Sequence, residues 1–138
     1  MKKVLAGYYI GSNVQLEIAH KKLSSLDSKS RQLSSFIFRD TMLRLFLYLL
    51  KNADGQIVSN EQILYHVWDL HGLKSSNQRL WQVMQALKFR LSAFGIEHDF
   101  IMRIEASQVK GYSLKPGIVR PFYFYNEDKT VVNIAGSL

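Results

Sequence analysis

The chain has 138 residues, a length that suits one domain and leaves room for a second module only as a short appendage. Hydrophobic residues make up 47% and charged residues 21%, which excludes a disordered chain and supports a packed core. Lys and Arg number 18 against 11 Asp and Glu, a net charge of +7, and there is no cysteine; disulfide frames, thiolate nucleophiles, Fe–S clusters and Cys-ligated zinc are excluded, and a polyanionic partner is favoured.

The N-terminal run turns polar by Ser12 and Asn13, too soon for a secretory signal. Residues 42–50 are apolar-rich but broken by Arg44, far short of the roughly 20 residues a membrane span needs. The expectation is a soluble chain in a reducing, cytoplasmic setting.

In chain order, residues 4–10, 14–19, 22–26 and 31–38 are short β-prone runs separated by turn signals at Gly11-Ser12-Asn13 and Asp27-Ser28, which predicts a small antiparallel sheet. The serines at 24, 25, 28, 30, 34 and 35 could instead mark a linker, but Leu23, Leu26, Leu33 and Phe36 bracket them and argue for strands. From Asp40 the apolar period becomes helical through Met42, Leu43, Leu45, Phe46, Leu49 and Leu50, with Asp40 as N-cap. The turn Asn52-Ala53-Asp54-Gly55 stops this helix, and Ile57-Val58 follows as a short extended piece.

Ser59 or Asn60 caps a second helix, with Glu61 and Gln62 in its first turn and Ile63, Leu64, Val67 and Trp68 on its apolar face. A polar loop of Asp69, Leu70, His71, Gly72, Leu73 and Lys74 leads to a third helix over residues 75–94, capped by Ser75 or Ser76 and ended by Gly95. Its stripe Leu80, Met84, Leu87 and Leu91 faces the core. At about 100° per residue, Gln78, Gln82, Gln85 and Phe89 then face away, with Arg79 and Ala86 beside them.

The charge is concentrated. Residues 1–35 carry Lys2, Lys3, Lys21, Lys22, Lys29 and Arg31 against Glu17 and Asp27, and residues 70–96 carry Lys74, Arg79, Lys88 and Arg90 with no carboxylate. A basic helix is often only a solvated face, and glutamine is an ordinary surface helix former. Yet glutamine can also read an adenine edge in the major groove while Arg79, Lys88 and Arg90 hold phosphates. After the third helix, residues 100–105 read as a strand, residues 106–110 as a polar connection and Gly111-Tyr112-Ser113-Leu114 as a returning strand. Helix, turn, helix and hairpin is the order of a winged helix-turn-helix, an α+β fold, with Gln108 and Lys110 at the wing tip to reach a phosphate or the minor groove.

The residues Gly55-Gln56-Ile57-Val58-Ser59-Asn60-Glu61-Gln62-Ile63-Leu64-Tyr65-His66-Val67-Trp68, then Leu87-Lys88-Phe89-Arg90-Leu91, residues 101–105 and Gly111-Tyr112-Ser113-Leu114 resemble the OmpR/PhoB-type winged-helix DNA-binding domain. The resemblance spans residues 8–114 and includes a leading small sheet. Trp68 and Gly111-Tyr112 are its most specific marks. It implies a bacterial transcription regulator whose third helix enters the major groove of promoter DNA, whose wing (residues 106–111) lies at the minor groove, and whose loop between second and third helices touches RNA polymerase. Carried over by position, DNA contact falls on Ser75, Gln78, Arg79, Gln82, Gln85, Lys88, Arg90, Gln108 and Lys110, and polymerase contact on Asp69 to Lys74. Binding to tandem sites as a homodimer is a further implication.

The sequence departs from that family in three places. Phe38-Arg39-Asp40-Thr41-Met42 stands where Leu-Thr and a later Glu usually open the first helix, Gln85-Ala86 stands where two cations are common, and Phe89 is unusual. Phe89 has three fates open to it, a thymine methyl, a neighbouring protomer or its own domain, and folding back onto the domain is the expectation. A winged helix at the start of the chain resembles the ToxR-like branch, for which no attached receiver domain is expected and membrane attachment through a segment outside this chain is implied. Residues 1–114 are therefore expected to form the winged-helix domain and residues 115–138 an extension. In that extension, residues 122–125 and 130–134 flank the turn Asn126-Glu127-Asp128 as a further hairpin that could add to the sheet, dimerise or connect onward, with packing on its own domain as the expectation.

Enzymatic chemistry is not expected. His20, His66, His71 and His98 lack metal-ligand spacing and no Gly-rich phosphate loop exists, so no catalytic residue and no cofactor are assigned. His66 reads as a satisfied helix histidine, and Glu105 as a residue that anchors a hairpin or contacts a neighbour. The competing functional reading is a winged helix turned protein-interaction module, suggested by the thin cationic face and Phe89.

Overall fold

Period-two segments of the chain become strands and period-3.6 segments become helices. The computed structural model describes residues 2–26 and 35–126. In order these form β1 (Lys2–Ile10), β2 (Val14–Glu17), β3 (Lys22–Ser25), β4 (Ser35–Ile37), α1 (Asp40–Asn52), β5 (Ile57–Ser59), α2 (Asn60–Val67), a 3-10 turn (Asp69–His71), α3 (Asn77–Ala93), a second 3-10 turn (His98–Phe100), β6 (Ile101–Glu105), β7 (Lys110–Leu114) and β8 (Val119–Asn126). The first sheet is antiparallel with strand order β4-β3-β2-β1-β8, and the second is antiparallel with order β5-β7-β6. Three helices, a leading sheet and the β6–β7 hairpin make the mixed α+β winged helix-turn-helix expected from the sequence.

One hydrophobic core joins both sheets and the three helices. Tyr8, Ile10, Val14, Leu16 and Leu23 from the first sheet meet Leu45, Phe46 and Leu49 of α1, Ile63, Val67 and Trp68 of α2, and the full α3 stripe of Leu80, Met84, Leu87 and Leu91. Burial of each such side chain contributes about 1.5–3 kcal/mol, so the stripe sets the rotation of α3 about its axis and thereby decides which residues face out.

Asp40 does not cap α1. Arg39 holds the N-cap position with extended backbone and makes no side-chain cap, while Asp40 is the first helical residue. Its carboxylate accepts a 2.6 Å hydrogen bond from Lys21 Nζ in the β2–β3 turn, which holds its pKa below the usual value. A negative charge there also complements the helix dipole.

Phe100 lies in the 3-10 turn and not in the strand, which begins at Ile101. Residues 119–126 are integrated into the first sheet: β8 pairs with β1 from Lys2↔Asn126 to Ile10↔Val119, with an irregularity between Leu5 and Gly7. The expected second arm, residues 130–134, lies outside the described residues, as do Lys29, Arg31 and residues 32–34.

Candidate nucleic-acid interface

Side-chain caps and backbone hydrogen bonds fix the starts of α2 and α3 and the turn between them. Ser59 and Gln62 close a capping box on α2: the Gln62 N–H donates to Ser59 Oγ at 3.0 Å and the Ser59 N–H to Gln62 Oε1 at 2.9 Å. At the start of α3 the Arg79 N–H donates to Ser76 Oγ at 3.0 Å, so of the two candidate caps it is Ser76 that serves. Ser75 is half-buried in the segment leading in. Between the helices, Trp68 is 1% exposed, and its carbonyl accepts from the His71 and Leu73 N–H groups at 3.0 Å each. Gly72, at φ 71°, takes the left-handed conformation that ends this turn.

Gln78, Arg79, Gln82, Gln85 and Ala86 are all exposed on α3, as the helical arithmetic requires. Phe89 is 68% exposed among the described residues, so it does not fold back onto them as expected; the core stripe turns the opposite side of the helix inward. Arg90 departs from its expected role. Its guanidinium stacks over the Phe36 ring of β4 at 4.3 Å and the residue is half-buried, because position 90 lies about 80° from the outward direction of Gln82, on the flank beside the first sheet. Lys88 is also half-buried, about 120° round the other way. The outward surface is thus neutral at its centre, with Arg79 as its exposed cation.

The wing is pinned at its base. Leu114 N–H donates to the Ala53 carbonyl at 2.8 Å and Gly55 N–H to the Leu114 carbonyl at 3.0 Å, which ties β7 to the turn after α1. Gly111 faces Ser59 in the β5–β7 register, and a Cβ there would stand 1.9 Å from the Val58 carbonyl oxygen; the position requires glycine for space. At the tip, the Ala106 N–H donates to the Val109 carbonyl at 3.0 Å, and Gln108 and Lys110 are exposed. Lys110 is the first residue of β7, opposite Glu105, and not part of the loop. Glu105 pairs with Arg103 of the same strand at 2.6 Å, a contact within β6 that does not cross the hairpin.

The sequence reading missed three exposed groups near these elements. Trp81 is 50% exposed, one position and about 100° away from the apolar stripe, and that offset is the signal that could have found it. Val109 at the wing tip is 39% exposed, and Arg103 adds a wing cation, paired with Glu105. The loop of Asp69, Leu70, His71, Gly72, Leu73 and Lys74 is exposed throughout, but it presents Leu70 at 57% and Leu73 at 42%, so it is less polar than expected.

The N-terminal basic cluster is partly consumed by structure: Lys21 pairs with Asp40, Lys3 lies 4.1 Å over the Tyr123 ring, and Lys22 stands opposite Glu17. His66 lies within α2, exposed, where it stacks on Tyr48 at 5.0 Å and meets Tyr65 edge-on at 5.1 Å. Among the described residues no helix is long and apolar enough to cross a membrane.

No family model and no curated protein matches the sequence. Among solved structures, the fold is similar to the DNA-binding domain of E. coli CadC, with a TM-score of 0.62 at 14% identity, covering 86% of this chain and 97% of that one. At that identity the likeness establishes the shared winged-helix architecture.

Proposed function

We propose that the chain is a sequence-specific DNA-binding transcription regulator that places α3 in the major groove of duplex DNA and the β6–β7 wing at the adjacent minor groove. The observation that carries this reading is the exposed face of α3. It is capped by Ser76, free of carboxylates from residue 70 to 96, and lined by Gln78, Arg79, Gln82 and Gln85. A helix of 17 residues is about 25 Å long and fits the major groove, which admits one α-helix. Lys110 supplies an exposed wing cation for phosphates, while the charge of Arg103 is balanced by Glu105. The similarity of the fold to a DNA-binding domain supports the same direction. Within this reading the loop of Asp69 to Lys74, with its exposed Leu70 and Leu73, is the surface for RNA polymerase. Pairs of molecules occupy tandem sites, and the domain works in the cytoplasm, tethered to a membrane if a spanning segment accompanies it.

Fluorescence anisotropy with promoter fragments and scrambled duplexes across a salt series tests the proposal. Specific fragments should bind about 1,000-fold or more tighter than scrambled ones, with log affinity falling linearly in log salt. Negligible affinity at low salt would favour the protein-interaction reading, for which the exposed Trp81 and Phe89 are the specific observation.

A further inference from the structure

We propose that the outward face of α3 selects A·T base pairs, reading adenine through Gln82 and Gln85 and the thymine methyl through Ala86 and Phe89. This rests on the DNA-binding reading above and adds the base class. Each base pair shows a distinct pattern in the major groove, and the side chains that recognise guanine there are Arg and Lys, while cytosine is read by Asp and Glu. The centre of this face has none of the four. Arg90 is withdrawn over the Phe36 ring at 4.3 Å, Lys88 is half-buried on the far flank, and Arg79 sits about 60° off centre, where it is set toward the backbone phosphates.

What remains is two kinds of group. Gln78, Gln82 and Gln85 carry paired donor and acceptor atoms that match adenine N7 and N6. Ala86 and Phe89 are apolar and exposed, Phe89 at 68%, beside the glutamines. The C5-methyl of thymine is the apolar feature of the major groove. Gln85 and Phe89 are one turn apart, about 6 Å along the helix, or roughly two base-pair rises of 3.4 Å, so they address different base pairs of one run.

The test uses the whole chain and needs no mutant at its first step. Selection from a random duplex library should enrich A·T pairs at the protected centre. In the best duplex, replacing thymine by deoxyuridine removes only the methyl and should weaken binding about three- to fivefold. Replacing adenine by 7-deazaadenine removes N7 and should weaken it about tenfold. Phe89→Ala should reduce the deoxyuridine effect, leaving the share due to Ala86, and the Gln82→Ala/Gln85→Ala double variant should abolish the 7-deazaadenine effect; the substituted side chains are exposed, and unchanged melting curves confirm the fold. A G·C-rich selected centre, or indifference to both base analogues, overturns the A·T assignment while leaving DNA binding intact. Absence of binding to every duplex at low salt overturns both.

Discussion

Replacing Gly111 by alanine tests whether the wing is positioned by close backbone approach. A Cβ at this position would lie 1.9 Å from the Val58 carbonyl oxygen, 2.8 Å from its carbon and 2.9 Å from Ser59 Cα. All three are backbone atoms, so no flexible side chain can swing aside. The clash can be relieved only by moving β5 away from β7, which breaks the Ser59↔Gly111 end of a ladder three residues long. It also disturbs Ser59, whose hydroxyl caps α2. Overpacking costs about 1–3 kcal/mol and loss of an N-cap about 1 kcal/mol, giving about 3 kcal/mol in all. For a chain of this size that lowers Tm by roughly 10 °C. Gly72→Ala is the control: it has open space around the Cβ but φ 71°, so it pays only left-handed strain of about 1–2 kcal/mol. Thermal and urea unfolding of the two variants, followed by DNA titration, make the comparison. Gly111→Ala should be the more destabilised and should also bind DNA more weakly, because the wing hangs from β7. A Gly111→Ala variant no less stable than Gly72→Ala would refute the close-approach account.

The remaining predictions concern charge and readout. Arg79→Ala and Lys110→Ala should weaken binding to all sequences alike, each flattening the slope of log affinity against log salt by about one unit in anisotropy titrations; Gln82→Ala should relax sequence preference without changing that slope. Arg90→Ala should leave DNA affinity nearly unchanged and lower stability by about 0.5–1 kcal/mol in urea unfolding, since its cation lies on Phe36; a tenfold loss of affinity at full stability would return Arg90 to the interface. The Lys21–Asp40 pair depresses the carboxyl pKa in the folded state, so its contribution is present above the unfolded value near 3.8 and lost as pH falls through the folded one. Melting temperatures of the wild type and Asp40→Asn should therefore differ at neutral pH and converge in acid; a constant gap across pH would show that the charge is not what matters.

Elements governed by local periodicity were legible. The α3 stripe, the Ser59–Gln62 box, the stop at residues 52–55 and the wing strands all follow from spacing and cap chemistry within a dozen residues. Asp40 was misplaced by one position because its acidic side chain suits both the cap and the first turn, and Lys21, 19 residues away, draws the carboxylate aside. The fate of 115–138 was open because an aromatic run with high strand propensity does not name its partner. Here residues 119–126 pair with β1, more than a hundred residues earlier.

The same division holds for the candidate site. The sequence by itself determined that one long, carboxylate-free helix would carry glutamines opposite a core stripe, because a 3.6-residue period fixes relative direction whatever surrounds the helix. Only the tertiary structure decided which flanking cations remain free. Arg90 is taken by a ring from β4, Lys88 is half covered, Arg79 stays open, and Phe89 is left in solvent. Those outcomes depend on which distant strand lands beside the helix, and that is set by the packing of the whole core.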